Sequence, residues 1–432
     1  MAHGGARHIF DSFAYWLDSE GRLLPDAGDL LAESCNLLVR LGLPLDRATT
    51  HIKIVHPQAR SVWRVWRRDR PMEVRRAVHG AELTPAFMRS PVRRVWDAGL
   101  WLSHRLTASA SEEWPILKDL RAESFTHYVI GPLHFSNRQN NAISFATRAE
   151  SGFMEDEIVL LHRIAARLTP VIEIMSLRRG MYDLFDTYLG HATTQLLADG
   201  QVQLGDGRPL RASLFYSDLR GFTSLTEGAP LDEVVRVLNA YFGVVGLAAS
   251  RHGGEVVQFI GDAILIFFAA TPLPEDDLSR PAGVEAHLYD DMDACRRAAA
   301  AATEALTELH RWNTIRRESG QREIEFGIGL DLGDVIHVNV GAAGRQSFNL
   351  IGPAVNRSAR IQELTKLVKY PALVSGEFAR ALGCSHRPLG EYELRGIPHP
   401  VEVVALPFEL PPQTEALPPF DHTMAEAVFE PR

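Results

Sequence analysis

The chain is poor in cysteine, carries no net positive charge and lacks a long apolar run. Only three of its 432 residues are cysteines (Cys35, Cys295 and Cys384), and their spacing excludes a disulfide framework or a cysteine metal cluster. The net charge of -9 gives no signal for nucleic acid or an anionic membrane. No run approaches the ~20 apolar residues that span a bilayer, and the first residues show no secretory pattern. We therefore expect a cytoplasmic protein with buried, reduced cysteines, no membrane span and no nucleic-acid partner.

The length suits two domains, since a domain usually has roughly 100–200 residues. In the first part, apolar residues at helical spacing predict a helix over residues 29–42 and a long helix from Glu155. Between them, residues 51–55, 128–133 and 142–146 have strand composition, with a polar turn before the last. This order predicts an α+β sensor domain over residues 1–176, followed by a helical linker over 177–210.

Residues 211–406 alternate between strand and helix patterns. A strand ends at Asp218, a helix begins near Leu231, and a hairpin turns at Gly261-Asp262 before an apolar strand. A further helix over 294–312, two strands and another helix follow. The acidic, proline-bearing residues 271–294 are interpreted as a surface insertion, and the proline-rich residues 407–432 as a disordered tail.

Two aspartates of this second part indicate metal chemistry. Asp218 ends a strand, and Asp262 occupies the hairpin turn, so neighbouring strands would bring both carboxylates to one end of a sheet. Carboxylate oxygens suit Mg²⁺ or Mn²⁺, and two such ions activate a hydroxyl and neutralise phosphate charge. Backbone N–H groups of the loop Gly221-Phe222-Thr223, at a helix start, suit phosphate. An isolated aspartate at a strand end is more often a cap or turn residue, so the pair is what indicates a site.

Three segments carry a family resemblance. FYSDLRGFTSLTE, GGEVVQFIGDAILIFF and FNLIGPAVNRSARIQEL, in this order, resemble the catalytic domain of class III adenylate and guanylate cyclases over roughly residues 180–406. The resemblance implies a ferredoxin-like α+β core and a head-to-tail homodimer with composite active sites. It also implies two Mg²⁺ or Mn²⁺ ions per site and attack of the ribose 3′-hydroxyl on the α-phosphorus, with no separate protein base.

The resemblance also assigns site residues. It implies that Asp218, Asp262 and the backbone carbonyl of Leu219 bind the metals. It implies that Asn356 and Arg360 of the sister subunit orient the ribose and stabilise the reacting phosphorus, and that Arg395 holds the terminal phosphates. The spacing of four between Asn356 and Arg360 places both on one helical face.

Base selection departs from the family pattern, in which a Lys and an Asp recognise adenine, whereas a Glu and a small residue recognise guanine. The matching positions here are Gln258 and Asn349, and an amide offers both a donor and an acceptor. We expect ATP as the substrate, with looser purine discrimination, and a guanylate or dual-specificity cyclase as the alternative. The GAAGRQS stretch between two strands is shorter than the arm that many relatives use for dimer contacts. An arm-mediated dimer contact is therefore in doubt.

The first part weakly resembles a GAF-type sensor, notably at FMEDEIVLLHRIAARL, and a different α+β sensor is the rival interpretation. We expect it to bind an unknown small-molecule effector. The run RSVWRVWRRDRPMEVRR fits a solvated strand edge with inward rings better than nucleic-acid binding. Two rival functions stay open: a non-catalytic nucleotide-binding cyclase homologue, and a diguanylate cyclase, which Gly253-Gly254-Glu255 only faintly suggests.

Overall fold

The computed structural model describes residues 3–106, 114–270, 286–383 and 387–406, and these divide into two compact units, 1–187 and 188–432. Both units combine helices with an antiparallel or mixed sheet, which confirms the α+β prediction. The predicted tail, residues 407–432, lies outside the described residues.

The first unit packs helices on both faces of a sheet whose described strands run antiparallel in the order β3-β2-β1-β6-β5-β4. Its strands are β1 Arg47–Lys53, β2 Ser61–Arg67, β3 Arg70–Ala77, β4 Leu102–Arg105, β5 His127–His134 and β6 Asn140–Thr147. Its helices are α1 His3–Ser19, α2 Ala27–Arg40, α3 Pro85–Met88, α4 Pro91–Ala98, α5 Pro115–Ala122 and α6 Glu155–Leu189.

One face of this sheet meets α1, α2 and α6, and the other meets α4 and α5. Alternation along β1 sends Ala48 and Ile52 to the first face. Trp66 is 4% exposed in the same core, which agrees with a strand whose rings pack inward. The helices α2 and α6 and the β5–β6 hairpin match the sequence predictions, whereas α1, α4 and α5 were not predicted.

The second unit is built on a mixed sheet ordered β13-β14-β12-β10-β7-β9-β8, with β11 pairing to β10. Its strands are β7 Gly207–Leu219, β8 Glu255–Ile260, β9 Ala263–Ala269, β10 Phe326–Ala342, β11 Arg345–Ile351, β12 Ala372–Ser375, β13 Arg387–Tyr392 and β14 Val401–Ala405. Its helices are α7 His191–Ala198, α8 Phe222–Gly228, α9 Leu231–Arg251, α10 Ala286–Glu318, α11 Pro353–Val368 and α12 Gly376–Leu382.

The central strand β7 separates two layers. Phe215 and Leu219 face the large core formed with α9 and α10, where the hydroxyl of Tyr241 donates to Ser217 Oγ at 2.9 Å. Ala212 and Leu214 face the opposite core, which includes Ala354 of α11. Because strand side chains alternate, this second face is also the one that Tyr216 and Asp218 share.

By length and composition alone, α9 could span a membrane. Its apolar side, however, packs in the core of the second unit through Val237, Tyr241 and Val245. These contacts are those of a core helix.

The predicted surface insertion over residues 271–294 is partly wrong. Residues 271–285 lie outside the described residues, but α10 already begins at Ala286. Asp291 on its first turns is 7% exposed, and both of its carboxylate oxygens accept from Arg211 Nε, at 2.8 and 2.9 Å. An acidic composition is typical of an exposed loop, but Asp291 is buried because it pairs with Arg211 of the distant strand β7.

Helix α11 lies against the backbone of β10 because β10 carries glycines beneath it. A Cβ built on Gly329 would be 2.2 Å from Ser358 O and 2.4 Å from Gln362 N. Two residues further along the same face of β10, Asp331 Oδ2 accepts from Arg357 Nε at 2.6 Å, and Asp331 is fully buried. Burial raises the pKa of Asp331 to about 6, although Arg357 opposes that shift. Close packing and a buried ion pair thus hold α11 in place.

We predict that Gly329→Ala destabilises the second unit by about 1–3 kcal/mol, because the added methyl group meets helix backbone that cannot rotate away. The matched control is Gly243→Ala on α9, where a Cβ meets nothing within 4 Å. That control should be neutral or stabilising by up to about 1 kcal/mol. Calorimetric unfolding of both variants tests this, and equal transition temperatures would contradict it.

Candidate active site

Two carboxylates meet at one end of the central strands. Asp218, at the end of β7, pairs in register with Ala263 of β9 on one side and with Gly327 of β10 on the other. Asp262 precedes Ala263 in the β8–β9 turn, where Gly261 has a φ of +63° that favours glycine. The local hairpin therefore places Asp262 beside Asp218.

The electrostatics of the pair confirm their proximity. Burial, followed by the charge of Asp218, raises the pKa of Asp262 to about 6, and the two carboxyl groups share a hydrogen bond. Two acids held this close disfavour double ionisation unless a cation is present. The pair is a strong candidate for binding positive charge.

A cavity of 430 Å³ opens above these carboxylates, between the strand ends and α11. Its lining is largely polar and charged. The lining residues are Tyr216, Asp218, Ile260, Asp262, Ala263, Asn356, Ala359, Arg360, Gln362, Glu363 and Lys366.

Asn356 and Arg360 thus line the same cavity as Asp218 and Asp262 of the same chain, whereas the resemblance implied that they meet across two protomers. Their spacing of four along α11 puts both on the side of the helix that faces the carboxylates. Arg360 makes an ion pair with Glu363, and Lys366 Nζ lies 3.2 Å from Asp218 Oδ2. Cations and acids alternate around the cavity.

The other predicted site residues do not line this cavity within the described part of the chain. Gln258 lies on β8 beside a register shift and Asn349 on β11, and the two strands approach each other. Arg395 is exposed in the turn between β13 and β14. The cavity of a single chain therefore does not bring these three predicted residues together with the carboxylates.

The predicted phosphate loop follows Asp218 directly. Leu219 is buried at 3% exposure, and Gly221 has a φ of +72° at the start of α8. Phe222 packs against the large core, and Thr223 is exposed. The loop therefore lies next to the carboxylate pair in the chain without lining the cavity itself.

Sequence reasoning missed four polar lining residues: Tyr216, Gln362, Glu363 and Lys366. A signal existed for Glu363 and Lys366, because each follows the previous site residue on α11 at a spacing of three, starting from Arg360. Gln362 is 1% exposed, and its Nε2 has no hydrogen-bond partner. A buried amide without a partner at a cavity wall indicates a bound group, since such a donor is costly when left unpaired.

The donor set fits Mg²⁺ or Mn²⁺. The described residues contain no cluster of three or more His, Cys, Asp or Glu side chains arranged for a metal ion. Two adjacent carboxylates suffice for Mg²⁺, which keeps waters and takes further oxygens from substrate phosphates. Asp218 and Asp262 would hold the ions.

Comparison with known proteins gives the family. Residues 209–406 match the model of the adenylate and guanylate cyclase catalytic domain. An uncharacterized protein of Mycobacterium tuberculosis is 28% identical over 274 residues, covering 61% of this chain and 44% of the relative. An adenylate cyclase of Anabaena cylindrica is 26% identical over 242 residues, covering 55% of this chain and 44% of the relative. The matches thus span less than half the length of these curated relatives.

Solved structures of cyclases are also similar. A bacterial light-regulated adenylyl cyclase has a TM-score of 0.44 at 22% identity, covering 56% of this chain and 64% of the other. The guanylyl cyclase Cya2 has a TM-score of 0.37 at 31% identity, covering 47% and 93%. On the strength of the family model, residues 209–406 form a class III nucleotide cyclase catalytic domain of the adenylate and guanylate cyclase family.

We predict that Asp262→Asn stabilises the metal-free protein at pH 7.5, raising the transition temperature by about 2 °C. The folded state raises the pKa of Asp262 from 3.8 to about 6, so the wild type loses stability as the pH rises through that window. Asparagine removes this penalty, and the difference should disappear below pH 4.

Thermal scans in chelator across pH 3.5–8 measure the effect, with Glu391→Gln on the exposed edge of β13 as the control. A variant less stable than the wild type at pH 7.5 would contradict the expected like-charge repulsion.

Proposed function

We propose that the second unit converts ATP into 3′,5′-cyclic AMP and pyrophosphate at a homodimer interface. The observation that supports this most is the gathering of Asp218, Asp262, Asn356 and Arg360 on one cavity. Bound Mg²⁺ or Mn²⁺ would lower the pKa of the ribose 3′-hydroxyl and neutralise phosphate charge.

The chain's own residues divide the remaining work. Asp218 and Asp262 supply the negative charge that holds the ions, and Asn356 orients the ribose through its amide. Arg360 directs several N–H donors at the charge that develops on the α-phosphorus. To do so it must leave Glu363, its partner in the described chain. Glu363 is exposed, so the exchange costs little.

The homodimer proposal rests on what one chain leaves out of the cavity. Gln258, Asn349 and Arg395, which the resemblance assigns to the base and the terminal phosphates, do not line it. A head-to-tail partner would present the same residues to the carboxylates from the opposite side. In this arrangement one protomer provides the metal site, and its partner provides these three residues together with its own Asn356 and Arg360, as the family resemblance implies.

Base selection by two amides supports ATP with loose discrimination. An amide at Gln258 and at Asn349 accepts adenine's N6 donor and supplies N1 with a donor, and rotated amides tolerate guanine. No charged group at these positions rejects the wrong base. The similar Anabaena protein is named an adenylate cyclase, which favours the same choice.

We predict that Asp218→Ala and Arg360→Ala each lower cyclase turnover by at least about 100-fold. When the two variants are mixed, activity should return. A heterodimer of the two variants contains one intact composite site, so up to about a quarter of wild-type turnover should return. Formation of cyclic nucleotide from ATP and from GTP with Mn²⁺ is the measurement.

Mixing Asp218→Ala with Asp262→Ala is the matched control, because both changes damage the same half-site and no mixture rebuilds it. Single variants that stay inactive together would instead place Asn356 and Arg360 in the site of their own chain. Wild-type protein that binds nucleotide without forming product would support the non-catalytic homologue, and preference for GTP would support the guanylate alternative.

We propose that the first unit is a GAF-like domain that binds a small effector in the cytoplasm and regulates the cyclase. Arg47 on β1 is 9% exposed, its Nε has no hydrogen-bond partner, and burial lowers its pKa. Arg47 has no ion pair among the described residues, although the charges of Glu123 and Glu73 act on it, and a buried guanidinium of this kind favours an acceptor-bearing ligand. The continuous helix α6 runs from this unit to the start of the second, which gives a route for a signal.

We predict that deleting residues 1–176 changes cyclase turnover several-fold and removes any response to an effector. Turnover of the full chain and of residues 177–432 is compared across a panel of small anions and nucleotides. Equal turnover and equal responses would contradict regulation by the first unit.

A further inference from the structure

Lys366 holds a position in the site that no sequence motif assigns. Its Nζ lies 3.2 Å from Asp218 Oδ2, and its side chain is 48% exposed while that of Asp218 is 22% exposed. The ammonium therefore occupies the outer side of the carboxylate that the proposed function assigns to a metal ion.

The backbone explains how Lys366 reaches Asp218. Gly327 pairs in register with Asp218, and a Cβ at that position would lie 2.1 Å from Thr365 Oγ1. Because glycine has no side chain, the end of α11 packs directly on β10 beside the carboxylates. Arg220 Nη2 donates to Thr365 O at 3.1 Å and so stabilises the last turn of α11. The position of Lys366 is thus fixed by packing, and its long side chain stays free to turn.

The charges around the cavity are unevenly matched. Arg360 is paired with Glu363, and Lys366 with Asp218. Asp262 has no ion pair within 4 Å among the described side chains. The cavity therefore holds one carboxylate in an ion pair with a lysine and, beside it, one that makes no such close pair among the described residues.

We infer that Lys366 is the resting counter-ion of the metal site and a ligand of the substrate's polyphosphate, so that metal ions and the phosphate anion bind cooperatively. This rests on the proposed function. A divalent ion on Asp218 repels an ammonium at the same oxygen, so Lys366 must turn away when the metal binds. The anion that can receive it there is the polyphosphate, next to the unpartnered Nε2 of Gln362.

The test is a titration of the full chain with Mn²⁺, with and without pyrophosphate. The electron paramagnetic resonance signal of free Mn²⁺ measures how much of the ion is bound. Lys366→Met should bind Mn²⁺ alone about three- to tenfold more tightly than wild type, because the competing cation is gone. It should lose most of the increase in Mn²⁺ affinity that pyrophosphate gives the wild type. Lys366→Arg should keep both wild-type values.

The control is Lys369→Asn, which removes a nearby exposed charge and tolerates the φ of +56° at that residue. Lys366→Gln repeats the test where the methionine variant fails to fold. A neutral variant with wild-type Mn²⁺ affinity under both conditions overturns the inference. Asp218→Asn separates the two claims: if this variant still binds Mn²⁺ as the wild type does, the proposed metal site itself is wrong.

Discussion

The second unit depends on the contact between helix α11 and strand β10. Glycines at positions 327 and 329 leave no side chains between the two elements, so the helix lies on the strand backbone. The pair of Arg357 with the buried Asp331 joins the same two elements further along β10. Since β10 pairs along β7, this contact also sets the height of the helix above Asp218. A change in that height would move Asn356, Arg360 and Lys366 together.

The electrostatics of the site are unfavourable in the empty protein because it places two carboxylates side by side. Asp218 and Asp262 lie beside each other at the end of a largely buried sheet, and burial together with their mutual repulsion raises the pKa of Asp262. Such an arrangement lowers the stability of the empty protein and increases its affinity for cations, a common relation between stability and function. Lys366 relieves part of the repulsion from the side, without filling the space between the carboxylates.

Both units bury charged and polar groups, and in each unit some buried polar atoms have no hydrogen-bond partner among the described residues. In the second unit, buried charges have partners, as in the pair of Arg211 with Asp291 and that of Arg357 with Asp331. In the first unit, the buried Arg47 has no ion pair among the described residues, and His51 is kept neutral because burial lowers its pKa to about 3. An oppositely charged partner therefore offsets part of the cost of burying a carboxylate in the second unit, whereas burial keeps His51 of the first unit neutral.

Local patterns were enough to predict the β5–β6 and β8–β9 hairpins, helices α2, α6 and α9, and the convergence of Asp218 with Asp262. Each of these depends on residues close in the chain or on a neighbouring strand pair. The start of α10 was mispredicted because its acidic composition is typical of an exposed loop. The buried contact of Asp291 with Arg211 cannot be seen in the composition. Helices α1, α4 and α5 were missed because their stability comes from packing on the sheet.

The sequence by itself determined the chemical inventory of this protein: paired carboxylates, an amide and a guanidinium at helical spacing, and motifs that identify the cyclase family. Only the tertiary structure decided which charges face one another. The pairing of Lys366 with Asp218 joins positions separated by 148 residues, and the unpartnered amide of Gln362 is visible only once α11 lies on β10. Spacing along a chain specifies faces of helices and strands, but distances between them come from packing.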